Sequence, residues 1–254
     1  MPKREPVDII VVTFSRRLYL EQTLESIVKN TRWPYRLTVI DNASKDDTQR
    51  WLKKNKKRLR IHRLLLRSHN VGVAQARMIG IRHAKSPIVA CSDDDAWYNP
   101  GWLTECMKIL ETYPEVAVAT VDKHPGRSQP SSYLGRENRH GVPVILRRCC
   151  RPYSMVFRKD AIVHVGGFRL PSGHVMGFMN TSLCDRLRRE GWKVARSDKR
   201  WKNPETGKME RLVIHMDVVG GRRSHREYYN ETGYTAFRSQ AKRGKVREFD
   251  PKIR

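Results

Sequence analysis

Ala90-Cys91-Ser92-Asp93-Asp94-Asp95-Ala96-Trp97 is the stretch whose reading decides the fold. The run before it, Pro87-Ile88-Val89-Ala90, is apolar and reads as a buried strand covered on both faces. It stops abruptly in three carboxylates, and Asn99-Pro100-Gly101 then signals a turn. Adjacent acids repel one another, so three of them at the end of a buried strand are costly unless a cation is near. The carboxyl edge of an open α/β sheet is also where such folds bind ligands. Hard divalent ions such as Mg2+ or Mn2+ suit an all-oxygen site and usually share it with substrate phosphates. A solvated acidic turn is the plainer alternative; the strand context and the elements upstream favour the ligand site.

Upstream, Val7 to Phe14 is a continuous β-branched run, a first buried strand, with Thr13, Ser15 and Arg16 at its carboxyl end. Leu18 to Val28 has helical spacing, with Leu20, Leu24, Ile27 and Val28 on one face. Tyr35 to Ile40 is a second strand that ends in Asp41-Asn42-Ala43-Ser44, and Asp46-Asp47-Thr48 caps the next helix. Strand, helix, strand with polar residues at both strand ends is the pattern of a nucleotide-binding βαβ unit. Neither GxGxxG nor a Walker lysine motif occurs, which argues against dinucleotide or P-loop phosphate binding. Arg50 to Arg67 carries many Lys and Arg and no acid, and includes a short third strand at Ile61 to Leu66. Such a run is either a solvated helix face or a polyanion contact. Asn70 and Gly72 make a turn, a helix begins about Val73, and Arg77 lies close to its amide-rich N-terminus, where it suits a diphosphate.

Downstream, Gly101 to Tyr113 is an amphipathic helix and Val116 to Val121 another buried strand. Asp122 to Arg151 has little periodicity and is rich in Pro, Ser, Gly, Arg and His, so a long functional or disordered loop is expected. It holds Arg127, Arg136, Arg139, His140, Arg147, Arg148 and Arg151, with Tyr133 among them. Ser154 to Phe157 reads as a strand, Asp160 to Val165 as a short helix closed by Gly166-Gly167, Thr181 to Gly191 as a helix and Val213 to Met216 as a late strand. From Arg222 to Arg254 the tail is basic, with Tyr228, Tyr229, Tyr234 and Phe237 interspersed. Bases stack on such a pattern, and an aromatic stripe packed on a core is the alternative.

The 254 residues suffice for one α/β domain with a modest appendage. Fifty-one Lys and Arg against twenty-six Asp and Glu leave a formal charge of +25, which points to an anionic partner: nucleic acid, a membrane surface or an acidic polymer. The five cysteines, Cys91, Cys106, Cys149, Cys150 and Cys184, show no CxxC or zinc spacing, so a reducing, cytoplasmic location is expected. The vicinal pair Cys149-Cys150 is either a metal or redox site or two thiols side by side by chance. Met1-Pro2-Lys3-Arg4-Glu5 is followed by an apolar run of only about seven residues, so no signal peptide is expected, and no run approaches the ~20 apolar residues of a membrane span.

Four motifs in order resemble the nucleotide-sugar glycosyltransferases of the GT-A fold, especially family 2. VVTFSR at Val11 to Arg16 is similar to the opening strand and VIDNASKDDT at Val39 to Thr48 to the second strand and its loop. NVGVAQARMIG at Asn70 to Gly80 resembles the NxGxxxARNxG element, with Met78 where Asn is usual, and DDDAWYNPGWL at Asp93 to Leu103 resembles the DxD motif. VGGF at Val165 to Phe168 and LRREGW at Leu187 to Trp192 look like the downstream motifs. The resemblance implies a Rossmann-like, mostly parallel sheet between helices over residues 1–221, followed by a basic extension over 222–254. It further implies that Thr13 and Arg16 border the nucleotide, and that Asp41 and Asn42 meet the base edge. Asn70, Gly72 and Arg77 support base and diphosphate, and Asp93 and Asp94 lie against the nucleotide sugar. Asp93, Asp95 and His215 are the implied ligands of Mn2+ or Mg2+.

One position departs from the family. Inverting members carry Glu-Asp at the start of the helix before LRRxG, and here those positions are Met179 and Asn180. Asn cannot take a proton usefully near neutrality. Asp185 and His174 are the nearest substitutes; the alternatives are retention of configuration or weak catalysis. The expected activity is transfer from a nucleoside diphosphate sugar, with a UDP-sugar favoured, to a hydroxyl. Charge at Arg136, Arg139, Arg147, Arg148, Arg222 and Arg223 favours a DNA acceptor, a 5-hydroxymethylated pyrimidine extruded from the duplex, similar to phage DNA-modifying glycosyltransferases. A polysaccharide or lipid-linked acceptor, and a nucleic-acid-binding module on a decayed scaffold, are the rivals.

Overall fold

The computed structural model describes residues 4–121, 132–169 and 179–216. The tail with Arg222 and Arg223, and also Arg127 and His174, lie outside the described residues.

The first half alternates strand and helix: β1 (Val7–Thr13), α1 (Arg17–Asn30), β2 (Tyr35–Asp41), α2 (Thr48–Asn55), β3 (Ile61–Leu66), α3 (Val73–His83) and β4 (Ile88–Ser92). Then come β5 (Ala96–Tyr98), α4 (Trp102–Thr112), β6 (Val116–Thr120), β7 (Tyr133–Arg139) and β8 (Val142–Arg147). The described chain closes with β9 (Met155–Arg158), α5 (Lys159–His164), α6 (Met179–Arg189), β10 (Lys193–Arg196), β11 (Arg200–Lys202), β12 (Met209–Arg211) and β13 (Val213–His215). Nine strands form one sheet in the order β3-β2-β1-β4-β9-β6-β10-β8-β7. Strands β3, β2, β1 and β4 run parallel, as do β6 and β10, while β9 is antiparallel to β4 and β6. Two small pairs, β11–β12 and β5–β13, stand apart from it.

Strand β1 shows why both faces are covered. Val7, Ile9 and Val11 join the core beneath α1 and α4, whereas Ile10 and Val12 join the core beneath α3, α5 and α6. Each successive side chain from Ile9 to Val12 thus enters the other core, as the period of two requires, and an apolar run over Ile9 to Val12 is the result. Gly80 lets α3 approach this strand, because a Cβ there would lie 2.6 Å from Ile10 Cγ2. Asp8 is buried in the same strand and accepts hydrogen bonds from Arg36 Nε and Nη2 at 2.8 and 2.7 Å and from the Lys85 and Ser86 amides at 2.7 Å. Burial alone would raise its pKa, yet Arg36 and the two amides hold it below the ordinary carboxylate value.

The expected loop is in large part a hairpin. Strands β7 and β8 pair antiparallel around His140-Gly141, both at positive φ, which suits a two-residue turn of primed type. Strand β7 lies at the edge of the sheet and is mostly exposed, so it carries no apolar alternation to betray it. Strand β8 buries only Val144 and Ile145. Strands β5, β10, β11 and β12 are too short or too polar to have been read from the sequence at all.

Candidate active site

The carboxyl ends of β1, β2 and β4 meet at one edge of the sheet. Non-glycine residues there adopt left-handed backbone: Ser15 at φ 50° and Ala43 at φ 68°. Such conformations are costly and cluster where a loop is shaped for function. The two loops are laced together, since the Ser15 amide donates to Ser44 Oγ at 2.8 Å and the Lys45 amide donates to Ser15 Oγ at 2.9 Å.

The three carboxylates have three different surroundings. Asp94 is buried and accepts from Thr13 Oγ1 at 2.7 Å and from Arg16 Nη1 at 2.7 Å. Burial pushes its pKa up to about 6, against the pull of Arg16. Asp95, also buried, accepts from Arg16 Nη2 at 2.5 Å, and its Oδ1 lies 3.3 Å from His215 Nε2. Asp93 is more open and is paired with Arg77, which is 1% exposed and also lies over the Phe168 ring at 5.4 Å. Part of the charge compensation that the acid run demands is therefore supplied from within the chain, by Arg16 across Asp94 and Asp95 and by Arg77 at Asp93, two guanidinium groups against three carboxylates. Thr13, Arg16 and Asp94, expected beside the nucleotide, are buried and bonded to one another at the carboxyl edge, because a buried carboxylate must be matched. Arg77 likewise positions Asp93 from the interior.

His215 reaches the acids because β13 pairs antiparallel with β5, setting His215 opposite Ala96, while the Met216 amide donates to the Asp95 carbonyl at 2.7 Å. The Tyr153 ring meets the His215 ring edge-on at 4.8 Å and fixes its plane.

At the end of β2, Asp41 is fully buried and accepts from the Ser44 amide at 3.0 Å and Gln49 Nε2 at 2.6 Å. Burial, the dominant effect, raises its pKa. Asn42 Nδ2 donates to Asn70 Oδ1 at 2.7 Å, and Asn42 Oδ1 accepts the Val71 amide at 3.0 Å. The Gly72 amide closes the turn onto Asn70 Oδ1 at 2.8 Å, and Gly72 at φ 78° provides the left-handed step before α3. Asn42, Asn70 and Gly72 thus form one hydrogen-bonded cluster, next in the chain to Asp41. Gln49 and Tyr153 were missed; nothing in their sequence surroundings marks them, and only the tertiary approach gives them a role.

A divalent cation can be tested against these donors. Two ligands on one small cation at about 2.1 Å each stand roughly 3 Å apart when they subtend a right angle, close to the Asp95–His215 spacing of 3.3 Å. A carboxylate oxygen suits Mg2+ or Mn2+, and an imidazole nitrogen beside it favours Mn2+ of the two. Among the described residues no group of three or more His, Cys, Asp or Glu converges to hold a metal. Asp93 stays with Arg77 instead of completing the implied set of three. Two protein donors plus phosphate oxygens is a usual arrangement for such ions.

The remaining candidates are not gathered here. Asp185 is half-exposed and pairs with Arg188 on its own helix, the plainer of its two readings. Asn180 lies in the first turn of α6, with a buried Oδ1 that has no hydrogen-bond partner among the described residues. Of the basic groups, Arg139 is neutralised by Glu115 at 2.5 Å and by Glu137, and Arg147 is held by Ser132. Arg136 and Arg148 are exposed. The exposed Lys53, Lys54, Lys56, Lys57 and Arg60 precede the start of β3, at the amino edge of the parallel strands and opposite the acid cluster.

A model of the glycosyl transferase family 2 domain matches residues 8–165. An uncharacterized Mycobacterium tuberculosis protein, Rv1520, is 24% identical over 265 residues, covering 93% of this chain and 75% of that one. The hyaluronan synthase of Pasteurella multocida is 30% identical over 98 residues, 38% of this chain and 10% of the synthase. Among solved structures, the Pyrobaculum calidifontis mannosyltransferase PcManGT, in complex with GDP-Man and Mn2+, superposes with a TM-score of 0.61 at 19% identity. The superposition covers 81% of this chain and 59% of the mannosyltransferase. The sheet order, the acid cluster at the carboxyl edge of β4 and the family match agree, and the chain belongs to glycosyl transferase family 2, a glycosyltransferase with the GT-A fold.

Proposed function

We propose that the chain transfers a sugar from a nucleoside diphosphate sugar to a hydroxyl of a polymeric carbohydrate acceptor, with the help of Mn2+ or Mg2+. The observation that carries this reading is the meeting, at one sheet edge, of the Asp41–Asn42–Asn70 cluster with the Asp95–His215 pair. Asp41, steadied by Gln49, orients toward the base edge, and the Asn42–Asn70 clasp shapes the loop beside it. Asp93, the most open of the three acids, takes the ribose or diphosphate side. Asp95 and His215 hold the cation, which when bound supplies Lewis-acid stabilisation of the departing nucleoside diphosphate. Arg16 and Thr13 keep Asp94 and Asp95 in place. Asn180 stands where inverting relatives keep a base, and its amide binds rather than abstracts. Retention of configuration, or a base outside the described residues, therefore accompanies this reading. The likeness to a hyaluronan synthase over 98 residues supports a carbohydrate acceptor.

The charge of +25 favours a second reading, a 5-hydroxymethylated pyrimidine in DNA. The ion pairing of Arg139 and the amino-edge location of the residue 53–60 cluster weigh against it. One experiment separates them: nucleoside diphosphate release from UDP- and GDP-sugars with Mn2+, Mg2+ or chelator. It is run against oligosaccharide acceptors and against duplex DNA with or without 5-hydroxymethylcytosine. Release stimulated by the oligosaccharide supports the first reading and release only with modified DNA the second. Absence of release with every donor would sink both.

A further inference from the structure

Cys150 and Cys184 are in van der Waals contact, Sγ to Sγ 3.5 Å apart, although neither sequence neighbourhood suggests the other as partner. Cys149, the adjacent thiol, invites pairing with Cys150 on sequence alone. The fold instead turns Cys150 toward α6, whose inner face buries Leu183, Cys184 and Leu187. Both sulfurs are in the thiol form, not joined in a disulfide. A disulfide needs an approach of about 1.5 Å from this contact to the bonded separation of about 2.05 Å.

We propose that Cys150 and Cys184 form a thiol–disulfide exchange site, separate from the sugar-nucleotide site, that takes a low-molecular-weight disulfide such as glutathione disulfide and closes to an intramolecular bond.

The two thiols have complementary access. Cys150 is partly exposed on the connection after β8, so an incoming disulfide can reach it, whereas Cys184 is buried behind it. In the first step the Cys150 thiolate attacks one sulfur of glutathione disulfide and expels a glutathione thiolate, leaving a mixed disulfide on Cys150. In the second, the Cys184 thiolate attacks Cys150 Sγ and expels the second glutathione thiolate. Two protein thiols lose two electrons and two protons, and one small disulfide is reduced to two thiols. In the reduced pair the hydrogen bond with Cys150 lowers the Cys184 pKa, against the opposing effect of burial; in the second step it is the short approach of the two sulfurs that favours attack. Burial instead raises the pKa of Cys149 and pushes that of Cys91 up to about 12, so those thiols stay protonated and slow. The new bond would tie α6 to the end of β8 across the segment that contains β9 and α5.

The test uses the full chain exposed to glutathione disulfide, alkylated, digested without reduction and mapped by mass spectrometry. The expected product is a Cys150–Cys184 linked peptide with two of the five thiols lost to alkylation, restored by dithiothreitol. Cys149→Ser retains this link, Cys150→Ser abolishes it, and Cys184→Ser arrests the reaction as a glutathione adduct on Cys150. A dominant Cys149–Cys150 link, or five thiols still open to alkylation after exposure to glutathione disulfide, overturns the proposal. Because Cys184→Ser alters a packed position, the Cys149→Ser and Cys150→Ser results decide the matter if that variant does not fold.

Discussion

His215 Nε2 lies 3.3 Å from Asp95 Oδ1, joining the last strand of the described chain to the turn after β4. Pairing of β13 with β5 and the Met216–Asp95 backbone bond of 2.7 Å make this contact a consequence of the fold. Asp95→Asn and His215→Ala should each lower nucleoside diphosphate release by at least about 100-fold, since cation stabilisation of the leaving group amounts to several kcal/mol at roughly 1.4 kcal/mol per decade. Steady-state release against Mn2+ concentration checks this. Wild-type rates with an unchanged metal response in both variants would remove the pair from the site.

Arg16 spans Asp94 and Asp95, so Arg16→Ala leaves two buried carboxylates without that counter-charge. A loss of about 3–5 kcal/mol in folding stability is expected, as for other broken buried pairs. Urea unfolding measures it. Adding Asp94→Asn to Arg16→Ala should restore part of the loss, because the strongest uncompensated charge is removed with it.

Gln49 touches the candidate base-recognition residue without itself being part of the acid cluster, donating to Asp41 Oδ1 at 2.6 Å. Removal of one such hydrogen bond costs about 1 kcal/mol. Gln49→Ala should therefore raise the donor KM by about fivefold and leave kcat nearly unchanged. A fall in kcat with constant KM would place Gln49 in a different role.

Met78 stands where relatives of this type usually carry Asn, and the structure gives its thioether a seat. The Phe168 amide donates to Met78 Sδ at 3.3 Å, and a Cβ on Gly167 would lie 2.5 Å from the same sulfur. Gly167 also has φ +68°, so Gly167→Ala combines backbone strain with a clash. A destabilisation of about 1–3 kcal/mol is expected. Met78→Ala should relieve the steric part of it, which a double-mutant cycle on thermal unfolding resolves.

Asp8 predicts the acid limb of the stability curve. Its folded pKa is below the ordinary value of 3.8, so its contribution is fully present above that value and is lost as pH falls through the lower, folded one. Asp8→Asn should cost about 2 kcal/mol at neutral pH and flatten the decline of stability below the ordinary value. An acid limb identical to that of the wild type would show that other carboxylates control it.

The parallel half of the fold was legible because burial on both faces leaves a strand few polar positions: Val7 to Phe14, Tyr35 to Ile40 and Pro87 to Ala90 all read as strands and sit side by side. The ends of those strands were legible for the complementary reason, since Asp41, Asn42 and the run Asp93 to Asp95 interrupt apolar sequence where nothing but a site or a turn requires polarity. The hairpin β7–β8 was hidden, because an edge strand exposed on most of its length obeys no apolar period.

What the sequence by itself determined was a sheet of mostly parallel strands with an acid cluster at its carboxyl edge, because periodicity and burial are local properties. What only the tertiary structure decided was the pairing of charges and sulfurs. Arg16 spans Asp94 and Asp95, Arg77 supports Asp93 from the interior, His215 arrives through β13, and Cys150 meets Cys184 rather than Cys149. Each of these depends on distances of a few ångströms between residues far apart in the chain, which are set by packing and leave no mark in local sequence.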